Sequence, residues 1–230
     1  MKATILAHHH HPRLLRLRFD LRGDALVASA LPRRSRRAVF LPSQAFEPWD
    51  VQTVYASRPW AAEMPSAGRP LTWGLLLEAV AKGVQLASLT HAAGLSSTGD
   101  ATLDAMLPLS ERYEIPQETI DAIRATRERG GRIIAVGTSV VRALEGCVFE
   151  RGKLISGPGV TTLRIGPGFT PTVIDGLLTG MHEPHESHFD LLEAFAPHAL
   201  LERAHQHAIE AGYEGHELGD SALILAGIAA

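Results

Sequence analysis

Two stretches of this chain hold residues whose types and spacing suit chemistry. In the first, IIAVGTSVVRALEG over 133–146, the apolar run Ile133, Ile134, Ala135 and Val136 gives way to Gly137, then to Thr138 and Ser139, and then to an amphipathic segment bearing Arg142 and Glu145. A short apolar run suits a strand covered on both faces, and glycine after it permits a tight turn. Thr138 and Ser139 can cap the helix that follows, so free amides and hydroxyls would face outward at the strand's carboxyl end, where open α/β sheets take ligands. Three residues apart, Arg142 and Glu145 share a polar helix face and can present charge to a pocket. An ordinary strand, turn and helix with an exposed ion pair reads the same locally.

The second stretch, Met181-His182-Glu183-Pro184-His185-Glu186-Ser187-His188, is the densest cluster of titratable residues. In a continuous helix His182 and His188 lie about 120° apart, and Pro184 places His182 in a loop before the helix, so imidazoles at a helix start are favoured over a zinc site. No metal is expected. General acid/base use of His182 or Glu183 fits better, because imidazole titrates near neutral pH and a carboxylate beside a helix N-terminus stays ionised. Asp175-Gly176 and Gly219-Asp220 read as turn dipeptides with acceptor carboxylates. His91 and the Ser96-Ser97 pair follow a strand end, as pocket residues often do, and Cys147 reads as a small buried side chain.

The elements that must position these groups form a wound α/β pattern: a mixed or mostly parallel sheet with flanking helices. Strands are expected over 51–56, 84–90, 133–136, 161–165, 172–174 and 222–228. A helix over 72–82 carries Leu75, Leu76, Ala79 and Val80 on one side and is closed by Gly83. Pro116 opens another that runs to Arg129 before Gly130-Gly131, and further helices are expected over 185–195 and 199–211. Residues 49–230 read as one α/β core domain. Residues 1–48 read as an irregular N-terminal segment with a strand over 25–29 and an Arg/Pro/Ser stretch too polar for a core.

The 230 residues, 45% hydrophobic, suffice for a substantial core, and a formal charge of -3 gives no general affinity for nucleic acid. A polyanion would have to meet a local patch: Arg13, Arg16 and Arg18 make one, and Arg33, Arg34, Arg36 and Arg37 a denser one, each of which reads equally as a solvated loop. A single cysteine excludes an intrachain disulfide and a cysteine-rich zinc site, and points to the cytoplasm. No apolar run approaches the roughly 20 residues that cross a bilayer. The His8 to His11 run could be a vector scar and carries no functional weight.

Collectively the residues resemble the S-adenosylmethionine:tRNA ribosyltransferase-isomerase family of queuosine biosynthesis. The resemblance runs in order through Gln52-Thr53-Val54-Tyr55-Ala56, Met64-Pro65-Ser66-Ala67-Gly68, Lys82-Gly83-Val84, Ser110-Glu111 with Glu114-Ile115-Pro116, and the AVGT and VRALE blocks of the first stretch. It continues through Val173-Ile174-Asp175-Gly176-Leu177-Leu178-Thr179, His182 with Pro184, Ala194-Phe195-Ala196 and Gly219-Asp220. The resemblance implies transfer of the ribosyl portion of S-adenosylmethionine onto a 7-aminomethyl-7-deazaguanine base of tRNA, with rearrangement to an epoxycyclopentane and release of adenine and methionine. S-adenosylmethionine enters as a substrate, no prosthetic group or metal is implied, and tRNA is the expected partner. On this reading Glu145, Glu183 and Asp175 are the carboxylates near the pocket, and His182 handles the proton. Gly137, Thr138 and Ser139 hold the ribose or the methionine carboxylate, Arg142 pairs with that carboxylate or a tRNA phosphate, and Ser66, Gly68 and His91 complete the substrate contacts.

Departures from the family pattern leave a second reading open, a degenerate relative that binds a nucleoside or RNA without catalysis. The family's Pro-Thr-Ala-Gly-Leu-His-Phe is here Pro65-Ser66-Ala67-Gly68-Arg69-Pro70-Leu71. Its Gly-x-Gly-Thr-Phe pattern is replaced by Ala92-Ala93-Gly94-Leu95-Ser96-Ser97, and Leu109 stands where a histidine precedes Ser-Glu. The small β-barrel domain that the family inserts in its N-terminal half is expected to be missing, with only the arginine-rich stretch between Ala30 and Trp49 in its place.

Overall fold

A computed structural model describes residues 2–9, 11–22, 25, 52–58, 60–61, 65–94, 98–184, 187–215 and 219–227. Residues 26–29 of the strand expected over 25–29, the arginines at 33–37, Ser96, Ser97 and His185 lie outside them.

The fold is organised around one helix. Three-stranded sheets lie to either side of it: β3 (Thr90–His91), β4 (Glu111–Ile115) and β6 (Gly157–Thr161) form an antiparallel one, and β5 (Ile134–Val136), β7 (Gly176–Gly180) and β8 (Ser221–Leu225) a mixed one. In the second sheet β5 runs parallel to β7, with Ile134 opposite Gly176 and Val136 opposite Leu178, while β8 is antiparallel to β7. The mixed form of the expected sheet is the one observed.

Between the sheets runs α4 (Thr138–Arg151), with every residue from Val141 to Cys147 buried, Arg142 and Glu145 included. The alternative of an exposed ion pair therefore fails for a definite reason: a helix covered by sheets on both sides has no solvent face at this level, and its charged groups must find partners inside. Gly146 is small because β6 crosses there, and a Cβ on it would collide with Thr161. The core continues through Tyr113, Ile115, Leu163, Leu177, Phe189 and Leu192.

The remaining elements are a 3-10 turn at Ser66–Gly68 and the helices α1 (Trp73–Ala81), α2 (Ala101–Asp104), α3 (Gln117–Glu128), α5 (Ser187–Leu192) and α6 (His198–Glu210). Thr72 caps α1 by accepting the Leu75 amide at 3.2 Å, and Pro116 precedes α3 as expected. At the N-terminus, read as irregular from its composition, β1 (Ala3–His9) and β2 (His11–Phe19) pair as an antiparallel hairpin that takes in His8, His9 and His11.

Several strand expectations shift. Residues 52–56 make a turn, closed by the Ala56 amide on the Thr53 carbonyl at 3.2 Å. Residues 84–89 are unpaired before β3, and 172–174 form no ladder. Asp175-Gly176, read as a turn, leads directly into the central strand β7. Its glycine answers crowding rather than turn geometry, because a Cβ on Gly176 would lie 2.6 Å from Leu225 Cδ2 and 2.9 Å from Ile134 Cδ1. Ile134 is 40% exposed, so β5 is not covered on both faces. Among the described residues no helix is long and apolar enough to cross a membrane.

Candidate active site

Because β5 and β7 are parallel and in register, their carboxyl ends open on the same edge, and two chain segments leave there. After β5 comes Gly137, at φ +92 and ψ 146, a conformation that costs any L side chain strain. Its amide donates to the Leu178 carbonyl at 2.8 Å, and its own carbonyl accepts from the Val140 amide at 3.1 Å. Gly137 is itself the N-cap of α4, with no side-chain cap. The expected capping by Thr138 and Ser139 is thus corrected: they start the helix, and their amides have no acceptor among the described residues. The 3-10 turn lies against this edge, with Ala67 Cβ 3.5 Å from where a Gly137 Cβ would stand. Gly68 in turn sits under Tyr55, whose hydroxyl a Cβ on Gly68 would strike. Ser66, Gly68, Gly137, Thr138 and Ser139 are therefore neighbours, although 69 residues separate Gly68 from Gly137.

After β7 comes His182. Its Nε2 lies 2.8 Å from the hydroxyl of buried Thr179, and its ring stands 4.9 Å from that of His188. Burial, reinforced by His188, pushes its pKa down to about 3. The expectation of an imidazole titrating near neutral pH is corrected accordingly: His182 is a neutral hydrogen-bonding group. Glu183 turns away towards α6, 3.4 Å from His205 Nε2, and does not join His182.

Just over one turn into α4 a second polar group forms inside the protein. Arg142 Nε donates to the Leu163 carbonyl at 3.2 Å, and Nη1 donates to Glu111 Oε2. Glu111 Oε1 accepts the Gly94 amide at 2.6 Å, and His91 Nε2 lies 3.2 Å from Oε2 without the alignment of a hydrogen bond. The side chains of His91, Glu111 and Arg142 are 4%, 6% and 8% exposed. Burial by itself raises the Glu111 pKa, but His91, Arg142 and the Gly94 amide outweigh it and hold the carboxyl below its ordinary value. Burial likewise draws the Arg142 pKa down against the pull of Glu111. Arg142 Nη2 and the His91 ring nitrogens remain buried without an aligned partner. Unpaired donors of this kind are costly and strongly favour an incoming acceptor.

Two expected site residues are occupied elsewhere. Glu145 accepts the amides of Thr172, Val173 and Ile174 at 2.8–3.1 Å and the Thr172 hydroxyl at 2.9 Å, which uses both oxygens of its carboxylate. Asp175 lies at the opposite end of β5 and β7, where it accepts from Arg127 at 2.8 Å and from the Ile133 amide at 2.7 Å. Neither faces the glycine turn. Both secure the loop that leads into β7.

Glu111 and Thr179 belong to this arrangement and were not singled out as site residues in the sequence. The signal for Glu111 was its position: Glu111, Tyr113 and Ile115 alternate as the inward face of β4, and a carboxylate on such a face requires a charged partner. Among the described residues no three metal-binding side chains converge.

Residues 2–224 match a family model described as "Queuosine biosynthesis protein". The chain is 36% identical over 182 residues to the S-adenosylmethionine:tRNA ribosyltransferase-isomerase of Gloeobacter violaceus, covering 78% of this chain and 52% of that protein. The corresponding protein of Sorangium cellulosum is 39% identical over 178 residues, with 75% and 48% covered. A crystal structure of S-adenosylmethionine tRNA ribosyltransferase from Thermotoga maritima superposes with a TM-score of 0.58 at 34% identity, covering 69% of this chain and 51% of that one. The chain spans about half the length of the curated relatives it matches.

Proposed function

The chain belongs to the queuosine biosynthesis protein family, and from that premise we propose that it uses S-adenosylmethionine as ribosyl donor to a 7-deazaguanine base of tRNA, in the cytoplasm. The observation that carries this reading is the buried Arg142, whose Nη2 has no partner and whose other donors are fixed by Glu111 and Leu163. A guanidinium so held takes a carboxylate in a defined direction, which suits the methionine portion of the donor. The glycine turn supplies the unpaired amides of Thr138 and Ser139 to ribose oxygens. Ser66 and Gly68 close the other side, and His182, oriented by Thr179, offers a neutral hydrogen bond. Glu145 and Asp175 act on this site only by positioning the loop before β7.

One observation favours the second reading, a relative that binds the nucleoside without turning it over. His182, the residue expected to handle the proton, is neutral far below physiological pH, and Glu145, expected near the pocket, is saturated by backbone donors. The experiment that separates the two is calorimetry with S-adenosylmethionine followed by mass spectrometry for adenine, with and without tRNA. Adenine release that depends on tRNA supports the transferase reading. Binding without release supports the second, and no binding by the folded chain rejects both.

A further inference from the structure

The basic residues at the start of the chain are organised by the hairpin. Residues 2–22 hold five basic side chains (Lys2, Arg13, Arg16, Arg18 and Arg22) and one acid, Asp20, a net +4; the rest of the chain then holds 17 basic against 24 acidic residues, a net -7. Apart from the Arg33 to Arg37 stretch, the positive charge is thus concentrated on this ribbon, and the remainder of the sequence is acidic. Asp20, already counted in that net charge, accepts the Lys2 backbone amide on Oδ1 at 2.8 Å at the open end. Arg13 is held near the other end, 3.1 Å from Asp100, with His11 4.0 Å from the same carboxylate.

Lys2, Arg16, Arg18 and Arg22 have no ion pair among the described residues, and of these Arg16 and Arg18 form a pair on the strand. Two apart on β2, they project from one face roughly 7 Å apart, opposite Ala7 and Thr4, so no cross-strand acid offsets them. Both are exposed and have no ion-pair partner among the described residues. Asp100, which anchors the ribbon through Arg13, also caps α2.

We infer that the Arg16/Arg18 face of the hairpin binds the phosphate backbone of tRNA. The inference rests on the proposed tRNA-directed function and assigns the surface that engages this partner. Charge complementarity carries it: phosphates are drawn to unpaired guanidiniums on a ribbon, while the acidic remainder repels them elsewhere and confines the contact.

The test is binding of a tRNA transcript to the full chain across a salt series, comparing the parent with an Arg16→Gln/Arg18→Gln double variant and with Arg203→Gln on α6. Each phosphate contact contributes roughly one unit to the slope of log affinity against log salt. The double variant is expected to lose about two units of slope, while Arg203→Gln keeps the parental slope and calorimetric binding of S-adenosylmethionine is unchanged in both. An Arg16→Lys/Arg18→Lys variant, which keeps the charges, retains the slope, and this guards against a folding defect. A parental slope in the glutamine variant, or its loss in the lysine variant, overturns the assignment while leaving the functional reading intact. A parent that binds S-adenosylmethionine but shows no salt-dependent affinity for tRNA overturns the assignment together with the tRNA part of the proposed function.

Discussion

Glu145 and Thr172 meet through three contacts: Glu145 Oε2 accepts the Thr172 hydroxyl at 2.9 Å and its amide at 3.0 Å, and Oε1 lies 3.1 Å from the same amide. With the Val173 and Ile174 amides also on Oε1, the helix between the sheets fixes the entry to β7, and through β7 the placement of Thr179 and His182. A carboxylate that looks catalytic in sequence is a clamp in three dimensions.

Removing it exposes the clamp. Glu145→Ala leaves the Val173 and Ile174 amides buried without an acceptor, at about 1–3 kcal/mol each, so a loss of roughly 2 kcal/mol or more is expected. For a chain of this size that lowers the melting temperature by about 4–8 °C, while Glu145→Gln, which keeps one acceptor oxygen, loses less. A thermal melt of Glu145→Ala within 2 °C of the parent would show that the clamp is not made.

Glu111 gives the acid limb of stability a definite sign. Its folded pKa is depressed, so its contribution is fully present above the ordinary glutamate value near 4.3, and it is lost as pH falls from there through the folded pKa. Denaturant titrations of Glu111→Gln are expected to show lower stability at pH 7 and a shallower decline below about pH 4.3 than the parent. Identical acid slopes would contradict the buried ion pair.

His182 makes the opposite prediction to an ordinary histidine. With a pKa near 3 its ring stays neutral, so its proton resonances are expected not to shift between pH 5 and 8. Because the folded pKa lies below the unfolded one, neutral His182 supports stability above about pH 6.5, and that support is lost as pH falls towards 3. A titration midpoint near 6 by NMR would place the ring in water and return it to the role of proton carrier.

Gly137→Ala tests the turn itself. The added methyl would sit 3.5 Å from Ala67, an ordinary contact, so the cost comes from the backbone at φ +92 and is about 1–3 kcal/mol. S-adenosylmethionine affinity should fall along with stability. Unaltered affinity would remove the turn from the site.

Much of the frame was legible because local rules coincide with the fold. Thr72 and Pro116 start helices as hydroxyl and proline residues do, and the AVG strand passes into its helix where periodicity changes. What was not legible depended on long-range neighbours. The polar stripe of Arg142 and Glu145 reads as surface until a second sheet covers it, and Gly176 reads as a turn until Leu225 is seen against it. The hydroxyls after Gly137 read as caps, but the glycine takes that position itself. Of the site residues, Ser66, Gly68, Gly137, Thr138, Ser139 and His182 share one edge, and Arg142 and His91 each meet the buried Glu111. Asp175, Glu145 and Glu183 lie apart because each is engaged by a nearer donor.

The claim on which the rest depends is that the unpaired Nη2 of Arg142 receives the carboxylate of S-adenosylmethionine. Calorimetric titration of the parent and of Arg142→Lys measures it most directly. Lysine keeps the charge but loses the fork, and a charge-assisted hydrogen bond worth about 1.5–3 kcal/mol corresponds to a roughly 10- to 150-fold weaker dissociation constant. That loss, with the variant still folded, is the expected result. Equal affinity in the two proteins would contradict it.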